Sequence, residues 1–320
     1  MAVTEAAAGP ALGAQSPHKT PNKQPMTPNV ANVVLGTLHI KPWYPSFYPE
    51  DLVGGRKAEW LYCTLCESTG VCNGVLGGKR ADTSKKVCPL RSEAPPGEVI
   101  YEKDGYVIHK IDGEEQKLYC QNLSLFAKLF LETKSVFFDA STFLYYTLIL
   151  RSPDHPHGTV AGFFSKEKMS WDNNNLACIL VFPPYQRRGL GQVLIGASYV
   201  LGRKEGRFGG PERPLSVPGK KGYVSYWSAE IARCLLSQPN KKTLGIKEIS
   251  ESTWIMPEDV VVALKEMDVL EKRKTASGNI VLNKSKIRNW VEKSKVKLDP
   301  VVDVEAFIED DSELSEVMSE

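Results

Sequence analysis

One stretch constrains this chain more than any other: Asn173 to Arg207, and within it Leu176–Phe182 (LACILVF) followed by PPYQRRGLGQVLIGASYV. The apolar run has strand length and is bounded by three asparagines before it and by Pro183 and Pro184 after it. Beyond the prolines, Val193, Ala197, Val200 and Leu201 fall on one face of a helix. Between strand and helix lies Gln186-Arg187-Arg188-Gly189-Leu190-Gly191. A strand, a glycine-rich turn and a helix in this order present bare backbone N–H groups and a helix N-terminus, which is an anion site. The two glycines permit close approach of an anion to the backbone, and the two arginines add charge. The turn has neither the lysine and hydroxyl of a Walker loop nor the G-x-G-x-x-G spacing of a dinucleotide fold. On the glycines alone, an ordinary surface turn is the simpler reading.

A chain of 320 residues, 42% of them hydrophobic, can bury a sizeable core. No apolar run is long enough to span a bilayer, and the N-terminal MAVTEAAAGPALG has no basic region followed by an apolar stretch, so neither a membrane span nor a secretory signal is expected. Seven cysteines, an odd number, with one pair spaced C-x-x-C, suit reduced thiols of cytosol or nucleus. The net charge of +2 hides an asymmetry: from Asp299 onward there are nine acidic residues and no Lys or Arg, which leaves about +11 on the rest. A basic body with an acidic tail suits polyanionic partners, although dispersed solvated charge gives the same count.

Residues 1–30 are poor in large apolar side chains and are expected to be disordered. Val33–Ile40 reads as a first strand, within a region 31–98 that carries Cys63, Cys66, Cys72 and Cys88. Cys63 and Cys66 form a knuckle in which two thiolates can share one tetrahedral zinc. Val99–Tyr101 and Tyr106–Ile111 flank Lys103-Asp104-Gly105 as a hairpin. Leu123, Phe126, Ala127 and Phe130 mark an amphipathic helix ending near Lys134, with Cys120 near its start as a packing residue. SVFFDASTFLYYTLIL reads as two strand-like runs, residues 152–158 as a turn whose His155 and His157 are plain loop histidines, and Val160–Lys166 as a further strand. A mixed central sheet in an α/β (α+β) core over 99–237 follows, with ligand near the C-terminal end of its last strand. Tyr223–Leu236 reads as a buried helix. In 238–298, a short helix near Ile246, a helix starting at Pro257 with Val260, Leu264 and Met267 on one face, and a strand at Asn279–Leu282 make a helix-turn-helix-like region. Its second helix is rich in Val, Leu and acids, a poor surface for phosphates, so packing is expected there and not sequence-specific DNA binding. The tail 299–320 is expected to be disordered.

The run LACILVFPPYQRRGLG, together with GFFSKE, CPLRSEAPPGEVIY and GPERPLS, resembles the MYST family of histone lysine acetyltransferases, from about Trp43 to about Leu282. Within that family, ACILVFPPYQRRGLG with GPERPLS is most similar to the fungal something-about-silencing enzymes. The resemblance implies an acetyl-CoA N-acyltransferase-like core with an N-terminal zinc-finger-like subdomain and a C-terminal winged-helix-like one. It implies that Glu212 accepts the lysine proton, that Cys178 lies beside the acetyl thioester, and that Lys134 is the autoacetylated lysine. It also implies that Ala177, Cys178, Ile179, Leu180 and Val181 pair main chain with the pantetheine arm, that Gln186, Arg187, Arg188, Gly189, Leu190, Gly191 and Gln192 hold the pyrophosphate, and that Ser216 and Ser225 sit near the cofactor. By its residues alone Glu212 is a solvated loop acid within reach of a pairing with Arg213, and Cys178 a buried core thiol. No His lies between Cys66 and Cys88, where the family has one, so the site is either all-thiolate, with Cys72 as the substitute, or degenerate. Implied partners are histone tails, histone four above all, nucleosomes and accessory subunits, in the nucleus. The alternative is a catalytically weak nucleosome-binding scaffold.

Overall fold

The computed structural model describes residues 30–35, 38–44, 58–63, 75–77, 94–132, 134, 139–153, 155–238, 243–270, 280–281 and 283–308. A small N-terminal sheet is made of β1 (Val30–Leu35), β2 (Leu38–Ile40), β3 (Ala58–Cys63) and β4 (Val75–Gly77), in the order β2-β1-β3-β4. The expected single strand Val33–Ile40 is thus two, β1 and β2, paired antiparallel. Cys63 closes β3, whereas Cys66, Cys72 and Cys88 lie outside the described residues, as do 1–29 and 309–320. The first part of the tail expected to be disordered, 299–308, is instead described, with Val302 and Phe307 buried and Phe307 bridged to Tyr101.

The central sheet has five strands in sequence order: β5 (Glu98–Lys103), β6 (Tyr106–Asp112), β7 (Phe143–Ser152), β8 (His155–Glu167) and β9 (Cys178–Val181). Every neighbouring pair in it is antiparallel, so the expectation of a mixed sheet is corrected. The reason is visible in the connections. Two residues separate β5 from β6 and two separate β7 from β8. Links that short can join only antiparallel strands, since a parallel pair needs a crossover of a dozen residues or more. The expected turn at 152–158 is likewise shorter, because β7 runs to Ser152 and β8 begins at His155. Of the two strand-like runs expected after Lys134, β7 is the second; residues 135–138 of the first lie outside the described residues.

The runs FLYYTLIL and TVAGFF are apolar on successive residues because both faces of the sheet are covered. On one face, Ile108, Tyr146, Leu148, Ala161 and Phe164 join the core of helices α2 (Leu190–Lys204) and α3 (Val217–Leu236). On the other, Val107, Tyr145, Ile149, Phe163 and Leu180 join helix α1 (Lys117–Lys128) and Val30, Val33 and Ile40 of the N-terminal sheet. Helix α1 stops at Lys128, short of the expected Lys134, and the chain tightens through Leu129 N–H to Phe126 O and Phe130 N–H to Ala127 O. Cys120 is fully buried, and burial pushes its thiol up to about 12.

The C-terminal part adds α4 (Ile246–Thr253), α5 (Pro257–Glu266) and α6 (Lys284–Ser294), with the short antiparallel pair β10 (Thr243–Leu244) and β11 (Ile280–Val281). Pro257 opens α5 as expected, and Val260, Leu264 and Met267 are buried in the same core as α2 and α3. The apolar face of α5 is therefore spent on packing.

Candidate functional site

Strand β9 carries the site at both ends. It is the edge of the central sheet, with β8 as its neighbour on one side. Ala177 N–H reaches Ser165 O at 2.8 Å and Phe182 N–H reaches Ala161 O at 2.8 Å, so the pairing runs beyond β9 as far as the apolar run predicts. An edge strand keeps a row of main-chain groups that an extended ligand can pair with. The four residues Cys178–Val181 span about 10 Å, at roughly 3.3 Å per step.

At the far end, Pro183–Tyr185 make one 3₁₀ turn and Gln186 folds back, its Nε2 donating to Val181 O at 2.8 Å. Arg187 has φ 61° and Gly189 φ 82°, both left-handed. That region suits glycine and costs an L residue such as arginine roughly 1–2 kcal/mol, a form of strain that clusters at ligand clamps. Gly189 is the N-cap of α2, and no side chain caps that end. The Leu190 and Gly191 N–H groups of the first turn, beside two exposed arginines, Arg187 and Arg188, therefore have no helical acceptor, while Gln192 N–H donates to Gly189 O at 2.9 Å. Arg188 lies over the Tyr185 ring at 5.7 Å. Leu190 is buried and anchors the helix, and Gln192 Nε2 donates to Gly222 O at 3.0 Å, tying α2 to α3. Ser216 is the N-cap of α3 and its hydroxyl accepts from Gly219 N–H at 3.2 Å, a structural task additional to the expected one. Ser225 is exposed on α3, three residues past the Gly222 contact.

At the near end, a cavity of about 200 Å³ brings together Lys134, Ser165, Glu167, Cys178, Glu212 and Tyr145. Three residues expected from far-apart motifs, Lys134, Cys178 and Glu212, thus meet in one place. Cys178 lies directly across from Ser165 in the β8–β9 register. Glu212 is fixed by its main chain: its N–H donates to Leu176 O at 2.8 Å and Pro211 bridges Leu176, just before Cys178. Partial burial and the neighbouring charge of Glu167 raise its carboxyl above the ordinary range, while Lys134 pulls it down. A carboxylate raised towards working pH is better suited to accept a proton.

Two expectations change here. Glu212 does not pair with Arg213, whose guanidinium instead binds buried Asp259 and lies 5.8 Å over the Trp227 ring. Cys178 is half-buried at the cavity and not a buried core thiol, and Lys134 is only 6% exposed, Lys128 Nζ donating to its carbonyl at 2.9 Å. Sequence reading passed over Glu167, Ser165 and Tyr145. The signal for two of them was present, since alternation along GFFSKE places Ser165 and Glu167 on one face. Tyr145 could not be placed without the fold; its hydroxyl meets Ser124 Oγ at 3.0 Å, and burial pushes it up to about 12. Among the described residues no group of three or more His, Cys, Asp or Glu is placed to hold a metal ion. No described helix is long and apolar enough to cross a membrane.

The chain is similar to several known proteins. The chain is 37% identical over 246 residues to the rice protein named putative MYST-like histone acetyltransferase 1, covering 77% of this chain and 52% of that one. It is 39% identical over 241 residues to the fruit fly protein named histone acetyltransferase MOF, covering 74% and 27%. It is 38% identical over 254 residues to the fission yeast protein named histone acetyltransferase mst2, covering 79% and 58%. The chain thus spans from about a quarter to three fifths of these relatives' length. The family model described as MOZ/SAS matches residues 94–307, from the start of the central sheet through the last helix, and the chain belongs to the MOZ/SAS family.

Proposed function

We propose that this chain is an acetyl-CoA-dependent lysine acetyltransferase acting on histone tails; the relatives are named histone acetyltransferases. The observation that carries the reading is the arrangement on β9: a titrating carboxylate, a thiol and a buried lysine at one end, an uncapped helix N-terminus with two arginines at the other. In this reading the pyrophosphate of acetyl-CoA lies on Gln186 to Gln192, the pantetheine arm pairs with Ala177 to Val181, and the acetyl thioester reaches the cavity beside Cys178. The cavity's Glu212 takes the proton of the lysine ammonium, and the freed amine attacks the thioester carbon. Main-chain N–H groups of the β9 edge stabilise the oxygen as its charge develops. Cys178 shapes the pocket, and transfer is direct.

Several finer assignments belong to the same proposal. Lys134 is the autoacetylated residue, and losing its charge would raise the Glu212 carboxyl further, since the ammonium now lowers it. Ser216 and Ser225 flank the cofactor. The C-terminal helices form the winged-helix-like wall of the substrate groove. A structural zinc on Cys63, Cys66, Cys72 and Cys88 rests on the thiolate chemistry of those residues and on the family resemblance. Histone four, accessory subunits of a silencing-type complex and the nucleus follow from the same resemblance.

The test is transfer of labelled acetyl from acetyl-CoA to core histones and to nucleosomes, with and without candidate partner subunits. Transfer to a histone lysine supports the enzyme. CoA binding without transfer to any lysine, partners present, would favour a nucleosome-binding scaffold.

A further inference from the structure

The acids on and near the central sheet divide into two kinds. Glu205 is paired with Lys166, Asp112 with Lys168, and Asp259 with Arg213. Glu167 and Glu212 have no ion pair or side-chain hydrogen bond among the described residues, although both face the cavity. Strand alternation explains how Glu167 arrives there. Lys166 points to the other face of the sheet, where it is nearly buried against Glu205. Its neighbours Ser165 and Glu167 point to the cavity face with Tyr145 and Phe143, their partners across β7. Glu167 lies two residues, or about 7 Å of strand, beyond the Ser165–Cys178 pair.

The charges that face Glu212 can be named from every side. Glu167 comes from β8 and Lys134 from the segment after α1. The thiol of Cys178 comes from β9 and the hydroxyl of Tyr145 from β7. Arg213, next in sequence, is engaged by Asp259. Two carboxylates, Glu212 exposed and Glu167 half-buried, thus face a single ammonium at the cavity, and an opposite charge would be attracted there. The cavity is one cation short.

We propose that Glu167 is a second carboxylate of the reaction site, which receives the ammonium of the incoming lysine and holds it beside Glu212. This rests on the acetyltransferase reading above. The substrate class follows from the deficit: a primary ammonium on a side chain long and thin enough to enter a cavity of about 200 Å³. Glu167 pairs with the ammonium and Glu212 takes one of its protons. The neutral nitrogen forms a bond to the thioester carbon, the carbon–sulfur bond breaks with its electron pair leaving on the CoA sulfur, and that thiolate takes the second proton which the nitrogen sheds as it becomes the amide. Glu212 then returns its proton to solvent. The same Glu167 charge helps keep the Glu212 carboxyl raised.

Glu167→Gln tests this. The peptide KM should rise about tenfold, the scale of one charged hydrogen bond, with acetyl-CoA affinity unchanged. The acidic limb of kcat/KM should move to lower pH, because Glu212 loses a like-charged neighbour and ionises more readily. Glu167→Asp should restore part of both. A peptide KM and an acidic limb that match wild type would overturn the proposal, and so would an equal loss of acetyl-CoA affinity, which marks a merely structural role. A second readout needs no turnover: the titration of the Glu212 carboxyl, followed by carbon-13 NMR in both proteins. A Glu212 titration unmoved in Glu167→Gln contradicts the proposal. If wild type transfers acetyl to no lysine while that titration still moves, the fault lies with the acetyltransferase reading and the carboxylate pair stands.

Discussion

In the proposed reading the two ends of β9 hold different kinds of chemistry. At the Cys178 end the working atoms are side chains drawn from β8, β9, the loop at Glu212 and the segment after α1, and their value lies in charge and protonation. At the Val181 end they are main-chain N–H groups, and their value lies in the left-handed backbone of Arg187 and Gly189 and the uncapped start of α2. About 10 Å of strand separates the two. The difference teaches where substitution should act. The near end is altered by removing a charge without moving an atom, the far end by moving backbone without touching a charge.

The largest effect is expected from Glu212→Gln, which removes the proposed base and keeps its shape. Turnover should fall by about a hundredfold or more at neutral pH, and a loss of under tenfold would take the proton-acceptor role from Glu212. At the other end, Gly189→Val forces a β-branched residue into φ 82° at a cost of roughly 1–2 kcal/mol. Acetyl-CoA affinity should weaken about tenfold, measured by calorimetry, with the pH limb of turnover unmoved. A third substitution should disturb both ends together. A Cβ on Gly162, which lies under β9, would come within 2.6 Å of Leu180 O and 2.9 Å of Val181 Cα. Gly162→Ala should therefore displace β9, lower thermal stability by about 1–3 kcal/mol, and weaken affinity and turnover alike. If only one of these falls, the two ends do not share the strand as described. The smallest effect is expected from Cys178→Ala: a few-fold loss at most, because direct transfer needs the pocket's shape and not the thiol. A loss approaching that of Glu212→Gln would make Cys178 a nucleophile.

The same contrast marks what could be read from the sequence. The far end is local. Strand, turn and helix follow one another within Leu176–Lys204, so periodicity, two prolines and two glycines place these elements, while only the family resemblance assigns the turn a ligand. The near end is assembled from segments up to 78 residues apart, Lys134 and Glu212 being the extremes, and composition carries no sign of that meeting. Only the family resemblance joined Lys134, Cys178 and Glu212 beforehand. The partner of Arg213 was out of reach for the same reason, since Asp259 is an unremarkable acid at a helix start until α5 packs beneath the loop. Glu167 was nearer to hand, because the alternation of GFFSKE already set it beside Ser165. The direction of the central sheet was missed because apolar patterning reports which faces are covered, not which neighbour a strand pairs with.

The account stands most directly on one crossed measurement: acetyl-CoA affinity and the single-turnover rate of acetyl transfer at saturating acetyl-CoA, for wild type, Glu212→Gln and Gly189→Val. The prediction is that Glu212→Gln binds acetyl-CoA as wild type does and loses the transfer step, whereas Gly189→Val binds weakly and transfers at nearly the wild-type rate once saturated. Loss of affinity in Glu212→Gln, or loss of the transfer step in saturated Gly189→Val, would contradict the division of labour along β9.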